Sequence, residues 1–297
     1  MDFFPLSTLS VSSKTLFSKK LETWISLLPK GTLLKLIRDP EQSIKALEEA
    51  PDITHSNANH HLFLSAVIAL LKHEKPKGTT IKERADLLSR WLPHQKSNSK
   101  PLFDHYLEEK PTARQEGKNM SLSEIIACRD KLPAGPERLL FGFYTHLDPV
   151  RADYFATEIV RDGETPTSAN YLVMGPTARI VLTDFKTKKT YEKIEQELPA
   201  VLRSELEADL AARPRRYLFT KPDAPLEPFD RNGFSGWGCR TLTRHLGTPM
   251  TLTALRHVYI SEKGDKGLKE LDRMAKNMGH GLSMQRGYKW EKKEEGK

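Results

Sequence analysis

Five residues of this chain carry the side-chain types that could cut and rejoin a phosphodiester bond. In chain order they are Arg151, a lysine of the turn that holds Lys186, Lys188 and Lys189, then Arg256, His280 and Tyr288. An arginine stays charged, and its planar fork can bond two phosphate oxygens at once. Two arginines on one phosphodiester would therefore offset the negative charge that develops in an in-line transition state. A tyrosine hydroxyl can attack the same phosphorus and form a covalent intermediate.

The lysine and the histidine would complete this chemistry by handling protons. A lysine on a turn could protonate the leaving 5′ oxygen. A histidine just past a helix C-terminus could hold a proton near the nucleophile or bond a phosphate oxygen. The covalent intermediate keeps the energy of the broken bond, so religation needs no ATP. Because the arginines supply the positive charge, we expect no metal and no other cofactor.

The five residues lie in four separate segments. The first arginine lies in LDPVRADY, just after a predicted helix, and the three candidate lysines lie in the polar turn KTKKT between two β-rich stretches. The second arginine lies one turn inside the predicted helix LTALRHVYIS. The histidine and the tyrosine share MGHGLSMQRGYKW, where Gly279 is a natural end for the preceding helix. The fold must therefore bring distant segments together.

The first part of the chain predicts a helical domain. Apolar residues recur at helical spacing in five segments, 13–28, 32–38, 41–49, 57–73 and 82–92, the last of which we expect to end at Pro93. The stretch PTARQEGKN is polar and without periodicity, so it is the candidate linker. The predicted domains are residues 1–112 and 113–297.

The second part mixes two periodicities. Helical spacing recurs at 122–131, 137–146, 234–246, 252–261 and 266–278, and again after Pro199. Extended patterns cover 171–174, 179–185, 191–198 and 217–220. The fold class we predict is mainly α with a small antiparallel β-sheet, and the sheet lies in the second domain.

Composition sets broader limits on function. The chain has 297 residues, enough for two domains, and a formal net charge of +8, which favours polyanionic partners such as nucleic acid. No apolar run is long enough to span a membrane, and the N-terminal stretch lacks the pattern of a signal peptide. The two cysteines match no metal spacing and favour a reducing, intracellular compartment.

The order Arg, Lys, Arg, His and Tyr resembles the catalytic domain of the tyrosine recombinases, the family of Cre, the Xer proteins and lambda integrase. The intervals agree with that family: 105 positions from Arg151 to Arg256, 24 more to His280 and eight more to Tyr288. The motifs LDPVRADY and MGHGLSMQRGYKW are closer to recombinases of large DNA viruses and eukaryotic mobile elements. The resemblance covers nearly the whole chain. It implies that the helical first part is a core-binding domain, which forms a C-shaped DNA clamp with the catalytic domain.

The resemblance also implies a role for each residue. Arg151 and Arg256 would bind the phosphate, and Lys186 would be the general acid for the leaving group. His280 would be the family's later histidine, and Tyr288 would be the nucleophile that takes the 3′ phosphate. The implied activity is site-specific DNA recombination or integration through a phosphotyrosine intermediate.

The sequence departs from the family's pattern at two positions. Where the family writes a histidine three residues before the second arginine, this chain has Thr253, whose hydroxyl can bond a phosphate oxygen but cannot act as a base. Where the family often has a glutamate three residues after the first arginine, this chain has Tyr154. In addition, Lys188 and Lys189 of the same turn remain alternatives to Lys186.

The implied partner is double-stranded DNA, with no membrane involved. The resemblance implies a homotetramer on paired DNA sites and a monomer in the absence of DNA. The implied location is intracellular and DNA-associated, in the host nucleus or cytoplasm if the chain is viral. The candidates for phosphate contact are the basic residues outside the site, namely Lys14, Lys19, Lys20, Lys82, Arg84 and the cluster Arg213–Arg216.

Two other functions stay open. One is a monomeric type IB topoisomerase-like strand transferase, which uses the same tyrosine chemistry. The nine residues after Tyr288 are fewer than many recombinases use to dock onto a neighbouring protomer, which leaves room for this alternative. The other is a DNA-binding protein on a decayed recombinase fold, and Thr253 is its best support.

Overall fold

The computed structural model of the chain describes residues 3–7, 9–107, 120–263, 268–279 and 281. The chain divides into two compact units, Met1–Leu107 and Glu108–Lys297. The candidate linker at 111–119 lies outside the described residues, and the domain boundary that we drew at 112 stays a prediction. Within the described ranges, no helix is long and apolar enough to cross a membrane.

The first unit is a set of helices around a buried central helix. Its elements are α1 (Val11–Leu27), α2 (Leu33–Arg38), α3 (Pro40–Glu48), α4 (Asn57–His73) and α5 (Ile81–Leu107). Helix α4 is apolar along most of its length and its residues from Phe63 to Leu71 are mostly buried. Trp24 and Trp91 meet edge to face with ring centroids 5.4 Å apart. The indole N–H of Trp24 donates to the carbonyl of Ser43, and that of Trp91 donates to the carbonyl of Ile37. Both buried rings therefore have their N–H group hydrogen-bonded.

The prediction that a helix ends at Pro93 is wrong, because α5 continues through it to Leu107. Proline removes the N–H that would bond the carbonyl four residues earlier, which is that of Ser89. Both Pro93 and Ser89 are exposed, so water can bond the carbonyl that the proline leaves free. Beyond the proline, the side-chain amide of Gln95 donates to Ser65 of α4 at 3.1 Å, which helps to hold the second half of the helix in place.

The second unit is helical with a small sheet between its helices. Its helices are α6 (Leu122–Lys131), α7 (Pro136–His146), α8 (Lys188–Tyr191), α9 (Ala200–Ala212), α10 (Arg231–Leu246), α11 (Leu252–Lys263) and α12 (Leu268–Asn277). Its strands are β1 (Glu158–Arg161), β2 (Asn170–Met174), β3 (Arg179–Leu182), β4 (Ile194–Glu197), β5 (Thr220–Lys221) and β6 (Ala224–Pro228). The predicted fold class, mainly α with a small β-sheet, is confirmed.

The main sheet has the strand order β1-β2-β3-β4. The pairs β2–β3 and β3–β4 are antiparallel, as expected. Strand β1 was not predicted, and it pairs with β2 in parallel, so the sheet is mixed. The segment EIVR has only two apolar residues, which is too few for an alternating pattern to identify a strand.

Helix α7 forms the centre of the second unit. Pro136 opens the helix at a position where its missing N–H is not needed. Every residue from Leu139 to Thr145 is buried, with α6, α9, α10 and α11 packed around the helix. The segment with Arg151 follows directly, so the buried helix fixes where that segment begins.

Two helices of this unit end at a glycine in the left-handed conformation. Gly247 follows α10 with φ +67°, and Gly279 follows α12 with φ +69°. A β-carbon at Gly247 would meet nothing within 4 Å. At Gly279 it would lie 3.1 Å from Ile194 Cδ1, and 3.2 Å from both Phe185 Cδ2 and Thr187 Oγ1. The end of α12 therefore touches the segment that leads to Lys186.

We expect Gly247→Ala to lower the free energy of unfolding by about 1 kcal/mol, the cost of a left-handed conformation for an L-residue. Gly279→Ala should lower it by more, because its added methyl also crowds Ile194, Phe185 and Thr187. Urea denaturation of the two variants measures this difference. Equal losses would mean that the end of α12 is not packed against the Lys186 segment.

Candidate active site

Arg256 joins two of the predicted catalytic segments. Its side chain is fully buried on α11, one turn after the helix begins. Its Nε donates to the carbonyl of Pro149 at 2.9 Å, and its Nη2 donates to the carbonyl of Met278 at 3.3 Å. Pro149 lies two residues before Arg151, and Met278 lies two residues before His280. One guanidinium therefore holds together the backbones on which two other candidate residues are carried.

Arg151 lies in the loop after α7. Its backbone carbonyl accepts a hydrogen bond from the hydroxyl of Tyr144, and burial keeps the pKa of that hydroxyl well above its usual range, so it stays a donor. The guanidinium of Arg151 is partly exposed and has no hydrogen bond or ion pair with another residue that the structure describes. Its backbone is thus fixed while its charge remains available to an anion.

A buried carboxylate ties the same loop to α11 and α12. Asp148 accepts from the hydroxyl of Tyr259 on α11 at 3.2 Å. It also accepts from Asn277 at 2.7 Å and from Arg273 at 3.1 Å, both on α12. Burial, with the neighbouring Asp148 carboxylate, raises the pKa of Tyr259 above its ordinary value, so this hydroxyl also stays protonated and donates. Asp148 therefore accepts one hydrogen bond from α11 and two from α12.

Gln196 of β4 extends this network into the sheet. Its side-chain carbonyl accepts from the backbone N–H of Asp148 at 2.9 Å. Its amide donates to the backbone carbonyls of Asp148 at 3.0 Å and of Asn277 at 3.3 Å. One buried amide thus bonds both the loop of Arg151 and the end of α12.

The loop of Lys186, between β3 and β4, is held from two sides. The hydroxyl of Thr187 donates to the carbonyl of Gly279, the residue directly before His280. Asn170 of β2 accepts from the backbone N–H groups of Thr183 and Asp184 at 3.0 and 2.8 Å. Its amide donates to the carbonyls of Asp184 at 3.1 Å and of Asp153 at 2.9 Å. The loop is therefore attached both to the Arg151 segment and to the end of α12.

The lysines of this loop differ in their partners. Lys188 pairs with Asp184 at 2.8 Å. Lys186 and Lys189 are exposed, and neither is paired with another described residue. The ion pair of Lys188 makes it the least available of the three as a proton donor.

Thr253 is exposed in the first turn of α11, three residues before Arg256. The hydroxyl of Thr251 accepts from the N–H of Ala254 at 3.0 Å and so caps this end of the helix. His280 and Tyr288 lie outside the described residues. The structure therefore brings together the segments of Arg151, Lys186 and Arg256 with the residues that lead directly into His280.

Sequence reasoning missed the polar residues that hold these segments, which are Asp148, Gln196 and Asn170. A signal was present for Gln196, since it occupies an inward-facing position beside Ile194 in an alternating strand. A buried polar side chain at such a position needs hydrogen-bond partners. Those partners come from residues far away in the chain, and the sequence gives no sign of which they are.

The arginine cluster that we considered for phosphate contact has partners inside the second unit. Arg213 and Arg215 pair with the buried carboxylate of Asp209. Arg216 pairs with Glu158 of β1 at 2.9 Å. These bonds give the cluster a structural role in holding the segment between α9 and β5.

No protein-family model and no curated protein sequence matches this chain. Among solved structures, the chain is similar to one described as the crystal structure of XerA recombinase, at 12% sequence identity and a TM-score of 0.42. The similarity covers 94% of this chain and 87% of that one. At these values it assigns neither family nor function, so the proposals below rest on the residues of this chain.

We expect Asp148→Asn to lower the free energy of unfolding by about 1–3 kcal/mol, because an amide cannot accept from all three donors of the buried carboxylate. Asp272→Asn is the matched control, since its partner Lys276 forms an exposed ion pair on the same helix, and we expect little change. Urea denaturation compares the two variants. If Asp148→Asn were as mild as the control, the buried network would not be what holds this loop.

Proposed function

We propose that the chain is a DNA strand transferase of the tyrosine recombinase type, which cleaves and rejoins double-stranded DNA through a 3′-phosphotyrosyl bond to Tyr288. The observation that carries the proposal is the pair of bonds from Arg256 to the carbonyls of Pro149 and Met278. They join three of the four segments that the order and spacing of residues in the sequence had singled out for this chemistry. A chance set of surface residues would have no reason to converge in this way.

In the proposed reaction, the hydroxyl oxygen of Tyr288 attacks the phosphorus as the bond from phosphorus to the 5′ oxygen breaks, and the hydroxyl proton passes to His280. Lys186 gives its proton to that 5′ oxygen, and religation reverses all three transfers. The guanidinium of Arg151, which has no partner among the described residues, neutralises the phosphate oxygens, with His280 and Thr253 as further hydrogen-bonding groups. Neither metal nor ATP takes part.

Arg256 has a double role in this proposal. In the described structure it is fully buried and bonded to carbonyls, so it organises the site. As the second phosphate-binding arginine of the proposal, it would also neutralise charge on the phosphate. Loss of Arg256 would then remove both a positive charge and the bonds that hold the loops of Arg151 and His280.

The proposal extends to assembly and location. We infer that the protein acts on two paired DNA sites as a homotetramer, is a monomer without DNA, and works inside the cell on DNA. The net charge of +8 is consistent with a polyanionic partner.

Covalent trapping tests the proposal. Wild type should form an SDS-resistant adduct in EDTA with duplexes that carry a nick within a randomised sequence, since the short fragment beyond the nick diffuses away after cleavage. Tyr288→Phe lacks the nucleophile and should form none while it still binds DNA. Tyr217→Phe, which changes a partly exposed tyrosine outside the loops of Arg151 and Lys186, should behave as wild type.

An adduct that persists in Tyr288→Phe would show a different nucleophile. Firm DNA binding without any adduct from the wild type would favour a DNA-binding protein on a decayed recombinase fold.

We expect Lys186→Ala to slow cleavage by about 100-fold or more, the usual contribution of a general acid. On a substrate whose 5′ bridging oxygen is replaced by sulfur, cleavage should recover, because a thiolate leaves without a proton. Single-turnover rates on both substrates, with Lys188→Ala and Lys189→Ala as controls, measure this. If only Lys189→Ala slowed cleavage of the oxygen substrate and recovered on the sulfur substrate, Lys189 would be the general acid.

A further inference from the structure

Another arginine, Arg231, connects the two loops that carry Arg151 and Lys186. Arg231 is the first residue of α10, and its side chain is 37% exposed. Its Nη1 bonds the carboxylate of Asp153, and its Nη2 donates to the carbonyl of Asp184 at 3.3 Å. Asp153 lies two residues after Arg151, and Asp184 lies two residues before Lys186. Neither the sequence motifs nor the proposed mechanism had given Arg231 a role.

The contacts of Arg231 favour one fixed position of its guanidinium. The carboxylate of Asp153 is buried, and a buried charge is costly unless it is paired. The guanidinium carbon also lies 4.6 Å from the ring centroid of Phe155, within the range of a cation–π contact. The guanidinium of Arg231 is therefore held by an ion pair, a hydrogen bond to a carbonyl and a cation–π contact.

The two loops are joined at a second point by Asn170, whose amide donates to the carbonyls of Asp153 and Asp184. Arg231 thus bonds the same two residues as Asn170. Asn170 is buried, whereas the side chain of Arg231 is partly exposed. These two side chains bond the Lys186 loop directly to the Arg151 loop, while Thr187 attaches it to the end of α12. A shift of about 1 Å in a reacting group can slow catalysis by about 100-fold.

We propose that Arg231 is a positioning residue, which holds the Lys186 loop against the Arg151 loop and so aligns the general acid with the phosphate. This inference rests on the proposed function. Arg231 acts through Asp153 and Asp184 and does not touch the DNA. Its loss should therefore impair the transfer of the proton from Lys186 to the 5′ oxygen and leave phosphate binding unchanged.

The test compares single-turnover cleavage of two nicked duplexes, one with oxygen and one with sulfur at the 5′ bridging position. Arg231→Ala should slow cleavage of the oxygen substrate by about 10- to 100-fold. On the sulfur substrate it should cleave nearly as fast as the wild type, since that leaving group needs no proton. DNA affinity, measured by fluorescence anisotropy, should stay within about twofold of wild type.

Arg203→Ala is the matched control. Arg203 is 38% exposed and, like Arg231, bonds a carboxylate and a carbonyl, those of Glu207 at 2.9 Å and Pro176 at 2.7 Å. Neither partner belongs to the loop of Arg151 or of Lys186. Its substitution should leave cleavage of both substrates unchanged.

A second variant covers the case in which Arg231→Ala leaves Asp153 unpaired and unfolds the protein. Arg231→Lys keeps the charge beside Asp153, but its single ammonium group lacks the fork that reaches Asp153 and Asp184 together. It should fold like the wild type and show a smaller loss on the oxygen substrate, again recovered with sulfur.

Equal losses on both substrates, or no loss on either, would overturn the role of Arg231. In both cases the wild type would still cleave, so the proposed function would stand. A wild type that forms no adduct with either substrate would overturn the proposed function, and this inference with it.

Discussion

The site depends above all on one buried guanidinium. A charged group inside a protein must find hydrogen-bond partners or it destabilises the fold. Arg256 finds two of them in the carbonyls of Pro149 and Met278, which belong to segments more than a hundred residues apart in the chain. The arginine needs the two carbonyls, and its bonds to them hold the two segments together alongside those of Asp148 and Gln196. The requirement that buried charge be hydrogen-bonded thus assembles the loop of Arg151 and the end of α12 around α11.

The remaining contacts follow the same physical rule. Asp148 and Gln196 bond the Arg151 loop to α11, α12 and β4, while Asn170 and Arg231 bond it to the loop of Lys186. In each case a polar side chain bonds the backbone or carboxylate of another segment. Irregular segments cannot satisfy their backbone groups within a helix or a sheet, so side chains must do it. The result is a set of loops held by hydrogen bonds. Arg151 stays partly exposed and Lys186 exposed, and neither side chain has a partner among the described residues.

The elements were predicted best where a local pattern decides the structure. Helical spacing identified α11, and Gly279 identified the end of α12, because both depend on neighbouring residues. The prediction that a helix ends at Pro93 was wrong because an exposed position tolerates a proline inside a helix. Strand β1 was missed because its four residues have no clear alternating pattern. Its pairing with β2 stabilises it as a strand, and that pairing cannot be read from the local sequence.

The candidate site could be predicted only in part. Residue types, order and spacing pointed to Arg151, Lys186 and Arg256, and the structure brings their segments together. The residues that hold those segments could not be predicted in the same way. Asp148, Gln196 and Asn170 have partners from across the fold, and no local pattern identifies which carbonyl or amide a buried side chain will meet.

The central claim is that Tyr288 becomes covalently bound to DNA. Mass spectrometry tests it most directly, after the protein has reacted with cleavable DNA and both nuclease and protease digestion have reduced the adduct to a nucleotide on a peptide. We expect a nucleotide joined through its 3′ phosphate to the hydroxyl of Tyr288. A nucleotide on any other residue would contradict it, as would recovery of the Tyr288 peptide in unmodified form alone from a reaction in which the DNA had been cleaved.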